Sequence, residues 1–160
     1  MDGGVALDAE PILEEIVRAL DECGLEVVLV GNAAAALQGA PVTTLDFDFM
    51  FRKTPANLGK LKTLAQKLSG RILTPYYPSS DLYRLVVEDS GIQLDFMPTL
   101  HGVRSFESLR SRAAKATFGG HPLWVADLSD IIRSKKTLGR PKDLAVLEIL
   151  EKTLDEKEKK

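Results

Sequence analysis

One cysteine, Cys23, stands in a chain of 160 residues. A lone thiol closes no internal disulfide, so a cross-linked scaffold is excluded. Histidine is almost as scarce. His101 and His121 are isolated, and no Cys/His cluster has the spacing of a zinc site. Long apolar runs are missing as well, none approaching the ~20 residues of a membrane helix. The opening Met1-Asp-Gly-Gly-Val5 lacks the basic start and apolar core of a signal peptide, so the expectation is a cytoplasmic chain with no membrane partner. Nor does charge of either sign dominate: 21 Lys+Arg against 23 Asp+Glu leave a net charge of −2, no broad electrostatic footprint for nucleic acid. An RNA substrate would need a local basic patch.

What is present describes an ordinary globular chain, 44% hydrophobic and 28% charged, read as one domain over residues 1–160. Its organising stretch runs from Val28 to Met50. An apolar β-type run, Val27 to Val30, stops at Gly31, and an Ala-rich helix follows and closes at Gly39. The glycine permits close backbone approach, and the helix start offers free N–H groups to an anion. Next comes a strand, Thr44 to Phe51, in which Asp46 and Asp48 alternate with Leu45, Phe47 and Phe49. Period-two alternation sends the aspartates to one face and the apolar residues to the other. Neighbouring carboxylates repel, so a cation is expected between them, and a hard divalent metal suits carboxylate oxygens.

Around this stretch the reading is simple. Asp8 as N-cap, Pro11 in the first turn and Gly24 at the end delimit a first helix, with Ile12, Leu13, Ile16, Val17 and Leu20 as its apolar stripe. Thr54-Pro55 opens another, whose Lys60, Lys62 and Lys67 form a solvated face. Ile72-Leu73 is a short strand, and Thr74 to Asp81 a loop in which Tyr76 and Tyr77 act as anchors. Leu82–Glu88 and Ile92–Met97 form a hairpin across Asp89-Ser90-Gly91, carrying Asp95 alongside the earlier pair. A short helix from Ser105 to Arg112 brings the best local basic cluster, Arg104, Arg110, Arg112 and Lys115. A second hairpin turns at Gly119-Gly120; Asp127 then caps a helix through Lys135, and Pro141 starts the last one. Asp155 to Lys160 is read as a frayed charged tail.

The glycine turn, short helix and Asp46-Phe-Asp48 strand, with Asp95 in Ile92-Gln-Leu-Asp-Phe-Met97, resemble the polymerase-beta-like nucleotidyltransferase superfamily, notably its small stand-alone members, toxin halves of toxin–antitoxin pairs included. Ile132-Arg-Ser-Lys135 followed by Gly139-Arg-Pro-Lys-Asp143 is similar to the lysine helix and Arg-Pro-Lys-Asp turn of that group. The matches span about residues 27–150. The family usually has Ser or Gly after the first glycine; this chain has Asn32, which lacks a hydroxyl but can donate a side-chain N–H.

The resemblance implies an α/β (α+β) fold, a small mixed sheet with helices packed on it. It also implies a site in which Asp46, Asp48 and Asp95 hold two Mg²⁺ ions, with Mn²⁺ as a substitute. Gly31 and Asn32 would meet the donor phosphates, and Lys135 and Arg140 would offset triphosphate charge. The implied reaction moves a nucleoside monophosphate from a nucleoside triphosphate, ATP first, to a hydroxyl of RNA such as tRNA, of a protein or of a small molecule. A homodimer or an antitoxin-like partner is expected beside it. Two rivals stand: a degenerate relative that binds nucleotide without turnover, and a protein-interaction module in which the aspartates are incidental.

Overall fold

The computed structural model describes residues 5–42, 44, 46–73 and 81–159, with side chains from residue 11 onward. Tyr76 and Tyr77, Thr43 and Leu45 lie outside the described residues. One mixed sheet organises the chain. Its strands are β1 (Val27–Val30), β2 (Asp46–Phe51), β3 (Gly70–Leu73), β4 (Tyr83–Val87), β5 (Gln93–Met97), β6 (Ala114–Phe118) and β7 (His121–Val125), in the order β3-β4-β5-β2-β1-β7-β6. The β1–β7 and β2–β5 pairs are parallel and the rest antiparallel. Six helices join them: α1 (Val5–Cys23), α2 (Gly31–Leu37), α3 (Pro55–Lys67), α4 (Phe106–Arg112), α5 (Leu128–Leu138) and α6 (Pro141–Glu158). This is the mixed α/β architecture the sequence implied.

The core follows from the alternation in β2. Phe47, Phe49 and Phe51 are fully buried, and Phe49 stacks on Phe96 of β5 with ring centroids 5.1 Å apart. Leu85, Leu94 and Leu29, also fully buried, belong to the same core. Burying a side chain of this size contributes about 1.5–3 kcal/mol each. Leu13, Ile16, Val17 and Leu20 of α1 are buried as the apolar stripe required.

Helix boundaries differ from expectation at both ends of the chain. α1 starts at Val5, so Asp8 is not its cap and Pro11 lies in the helix interior. Proline there forgoes one intrahelical bond, but Ala6, Leu7, Ala9 and Glu10 are strong helix formers on its N-terminal side. At the other end the charged tail does not fray before Glu158. Lys157 donates to the Gln38 side chain at 3.1 Å and Lys159 pairs with Asp155 at 3.5 Å, which ties down the last turns of α6.

Several surface charges turn out to be structural. Lys60 donates to the Gly24 carbonyl at 3.2 Å and Lys67 pairs with Glu22 at 3.4 Å, so the α3 lysines lace that helix to α1. The basic cluster is consumed in the same way. Arg110 lies 3.2 Å from the Trp124 ring centroid, and Arg112 grips Asp130 with two hydrogen bonds, at 2.8 and 2.9 Å. Two of its four cations are thereby occupied. Among the described residues no helix is long and apolar enough to cross a membrane.

Candidate active site

Every site residue expected from the sequence lies at one end of the sheet, where β1, β2 and β5 run side by side. Asp48 stands in register with Asp95 on one flank and Val30 on the other, while Asp46 stands opposite Gln93. Paired residues share a face, so Asp46, Asp48 and Asp95 all project from the face opposite the phenylalanines. Adjacent strands are about 4.8 Å apart, and Asp46 and Asp48 are about 6.6 Å apart along their strand. The carboxylates therefore line a cleft of about 780 Å³, to which Asn32, Lys135 and Arg140 also contribute. Gly31 lines an adjoining pocket of about 130 Å³ with Asp48, Lys135, Arg140 and Asp143.

Gly31 is required twice over. Its φ is +70°, a region unfavourable to side chains, and a Cβ placed on it would sit 2.7 Å from Asp48 Oδ2. A side chain there would be strained by its φ and would have to displace the Asp48 carboxylate. The next residue, Asn32, has a buried side-chain oxygen with no hydrogen-bond partner. An orphaned buried acceptor costs about 1–3 kcal/mol until something donates to it. Since the two ends of an amide exchange by a flip of the group, the position serves a donor or an acceptor on a ligand.

Charge in the cleft is unbalanced. Burial, and then the nearby Asp95 and Asp46, push the Asp48 carboxyl up to about 6, against the pull of Lys135 and Arg84. Lys135 is held below the usual lysine range, chiefly by burial, although Asp143 and Asp48 favour its charged form. Asp143 organises the cationic wall. Arg140 donates to its two oxygens at 2.6 and 3.1 Å, and Lys135 lies 3.8 Å away. The Arg140 contact is the main cause of a carboxyl held below the ordinary range. Lys136, one position along, turns away to Glu151 at 3.1 Å.

Two participants were absent from the reading of the sequence. Asp143 was seen only as part of a motif, and Arg84 was not singled out. Arg84 projects from β4 directly across from Asp95, donating from Nε to Oδ1 at 2.9 Å and from Nη2 to Oδ2 at 3.2 Å. With Asp95 turned to this guanidinium, no group of three His, Cys, Asp or Glu among the described residues converges on a single metal position. The donor set nonetheless has the chemistry of a hard-cation site: oxygen ligands only, a raised carboxyl at the centre, and a cation already standing on Asp95.

The fold is shared with solved structures of nucleotidyltransferases. Among solved structures, the antibiotic-resistance factor ANT(2'')-Ia superposes with a TM-score of 0.64 at 17% identity, over 92% of this chain and 85% of its own. A crystal structure of ANT(2'')-Ia contains adenylyl-2''-tobramycin, with a TM-score of 0.63. The lincosamide antibiotic adenylyltransferase LnuA, bound to lincomycin, gives 0.60 at 14% identity over 89% of this chain and 96% of its own. TM1012 of Thermotoga maritima gives 0.57 at 20% identity over 91% and 92%. No protein-family model and no curated protein matches the sequence.

Proposed function

We propose that the chain is a magnesium-dependent nucleotidyltransferase acting from a nucleoside triphosphate onto an acceptor hydroxyl. The observation that carries this reading is the register that sets Asp48 beside Asp95, with Asp46 on the same face, next to a glycine pressed onto Asp48. Asp46, Asp48 and Asp95 would hold the metal, which would neutralise phosphate charge and favour the ionised acceptor oxygen. Lys135 and Arg140, steadied by Asp143, would meet the triphosphate. Asn32 would take one further polar atom of the donor.

In the reaction the acceptor oxygen forms a bond to the α-phosphorus while the bond to the β-phosphate oxygen breaks. Pyrophosphate leaves, and the acceptor's proton passes to the Asp95 carboxylate or to water. Chemistry of this kind needs positioning and charge neutralisation rather than a nucleophilic side chain. The cleft, about 780 Å³ in volume, has room for a ligand of drug-like size. The two neighbours whose structures contain antibiotics support a small-molecule acceptor, beside the RNA and protein hydroxyls the sequence suggested. Incubation with each labelled triphosphate, Mg²⁺ and fractions of small molecules, RNA and protein tests the reading. Label transferred to one fraction, and lost with Asp48→Asn, supports it; no transfer from any triphosphate sinks it.

One observation favours the degenerate relative. Arg84 takes both oxygens of Asp95, as a permanent internal cation would. Nucleotide binding without transfer, and without dependence on Mg²⁺, would be its signature.

A further inference from the structure

Three carboxylates share the open face of β2 and β5, and one guanidinium stands among them. Arg84 is bound to Asp95 through both oxygens, and Gln93 adds a long contact of 3.5 Å to Oδ2. The Asp95 side chain is 11% exposed, whereas that of Arg84 is 42% exposed. The acid is fixed in the sheet, and the base has a solvent-facing route away from it. The Arg84 guanidinium is also held in its charged form by Asp46 and Asp48, after Asp95 itself. Its charge thus answers all three acids at once.

We propose that Arg84 is a positioning residue for the transfer reaction: it stands on Asp95 as a resident cation in the metal-free chain and yields that carboxylate when a divalent ion loads. The proposal rests on the reading of the cleft as a metal-dependent nucleotidyltransferase site. An empty trio of adjacent carboxylates would repel. Arg84 relieves that repulsion on Asp95, and the relief is forfeited when metal enters. Metal binding is therefore a competition between an external cation and an internal one. The nucleotide-free site should be a weaker binder of metal than its three carboxylates alone would make it. Arg84 acts through Asp95, so its influence should largely vanish when Asp95 no longer carries charge.

Manganese, followed by loss of the electron paramagnetic resonance signal of the free aqueous ion, tests this on the full chain without nucleotide. Arg84→Met and Arg84→Gln should each bind Mn²⁺ about tenfold more tightly than the unmodified chain. Arg84→Lys, which keeps a charge but not the two-pronged grip, should fall between them and the unmodified chain. In an Asp95→Asn background the gain from Arg84→Met should shrink to less than about threefold, because only long-range repulsion is left to remove. Unfolding curves of the Arg84 variants check that they remain folded, and two neutral replacements guard against one failing to fold. Equal or weaker Mn²⁺ binding by both neutral variants overturns the proposal, and so does a full gain in the Asp95→Asn background. The parent reading is judged separately by Asp48→Asn. If it binds Mn²⁺ as well as the unmodified chain does, the metal site itself is wrong and the role of Arg84 falls with it. If Asp48→Asn binds poorly while Arg84→Met changes nothing, only the role of Arg84 fails.

Discussion

Asp95, Asp130 and Asp143 are each gripped by an arginine through both oxygens, and of these the pairs at Asp130 and Asp95 serve different ends. Asp130, fully buried at the start of α5, takes Arg112 at 2.8 and 2.9 Å and Arg133 at 3.2 Å. Two cations answer one acid, and no negative charge is left over. Asp95 has one arginine, shared electrostatically with Asp46 and Asp48. Here the acids outnumber the arginine, and burial together with this surplus raises the Asp48 carboxyl. A saturated pair holds a fold in place; an unsaturated one at a cleft waits for something to bind. The sum of charges around the carboxylate, rather than the geometry of the ion pair, separates the two.

The comparison breaks most sharply in the chemistry. Asp48→Asn and Asp95→Asn should each lower nucleotidyl transfer about 100-fold or more while leaving the fold intact, since each would remove an anionic ligand of the proposed metal site. Transfer rates and circular dichroism check this, and near-normal transfer by either variant would strike that residue from the site. Asp130→Ala should do the reverse. Loss of the acid leaves Arg112 and Arg133 without their partner beside a buried gap, so denaturant unfolding should show a cost of about 3 kcal/mol. Metal affinity should be unchanged.

Lys135→Ala tests the cationic wall. A charge-assisted contact to phosphate is worth about 1.5–3 kcal/mol, so triphosphate binding should weaken about tenfold or more in calorimetric titration. Lys136→Ala, on a side chain already turned to Glu151, should change it little. Equal effects at the two positions would make both lysines surface charge.

The smallest effect concerns stability and pH. Asp48 titrates at about 6 in the folded chain against an ordinary 3.8, so the folded state holds this proton more tightly than the unfolded state. The stability that proton supplies is complete below the ordinary value and lost as pH rises through about 6. An asparagine in its place would be neutral throughout and would not suffer the loss. Asp48→Asn should therefore be more stable than the unmodified chain at pH 7.5, with the difference gone at pH 3.5. Thermal unfolding without metal at the two pH values checks it. A variant less stable at pH 7.5 would show that the site carries no stored repulsion.

Much of this was legible in the chain because it rests on period-two alternation. Asp46 between Leu45 and Phe47, and Asp48 between Phe47 and Phe49, could face only one way, and Asp95 between Leu94 and Phe96 followed the same rule. The Thr54, Ser105 and Asp127 side chains accept hydrogen bonds from the first turns of their helices, so those starts were written locally. Arg84 was hidden by a single residue of register. With Glu88 counted in the strand, the hairpin closes over three residues and sets Leu85 opposite Asp95. In the structure Val87 and Ile92 flank a four-residue loop, which sets Arg84 there instead. A slip of one residue exchanges faces, and loop length fixes it. The start of α1 was misjudged for a different reason. Proline marks a first turn by propensity, but the helix-forming residues before it outweigh one missing bond.

The parallel pairing of β2 with β5 has a consequence for the birth of the molecule on the ribosome. Parallel neighbours cannot be joined by a tight turn, so α3, β3 and β4 are all made between Asp48 and its partner Asp95. Lys135 and Asp143 emerge later still. A growing chain that already displays the glycine turn and its first two acids still lacks Asp95, Lys135 and Asp143. Only when the late helices dock does the cleft gain its cationic wall. Under the proposed function, transfer would thus be deferred by topology until synthesis has reached α6.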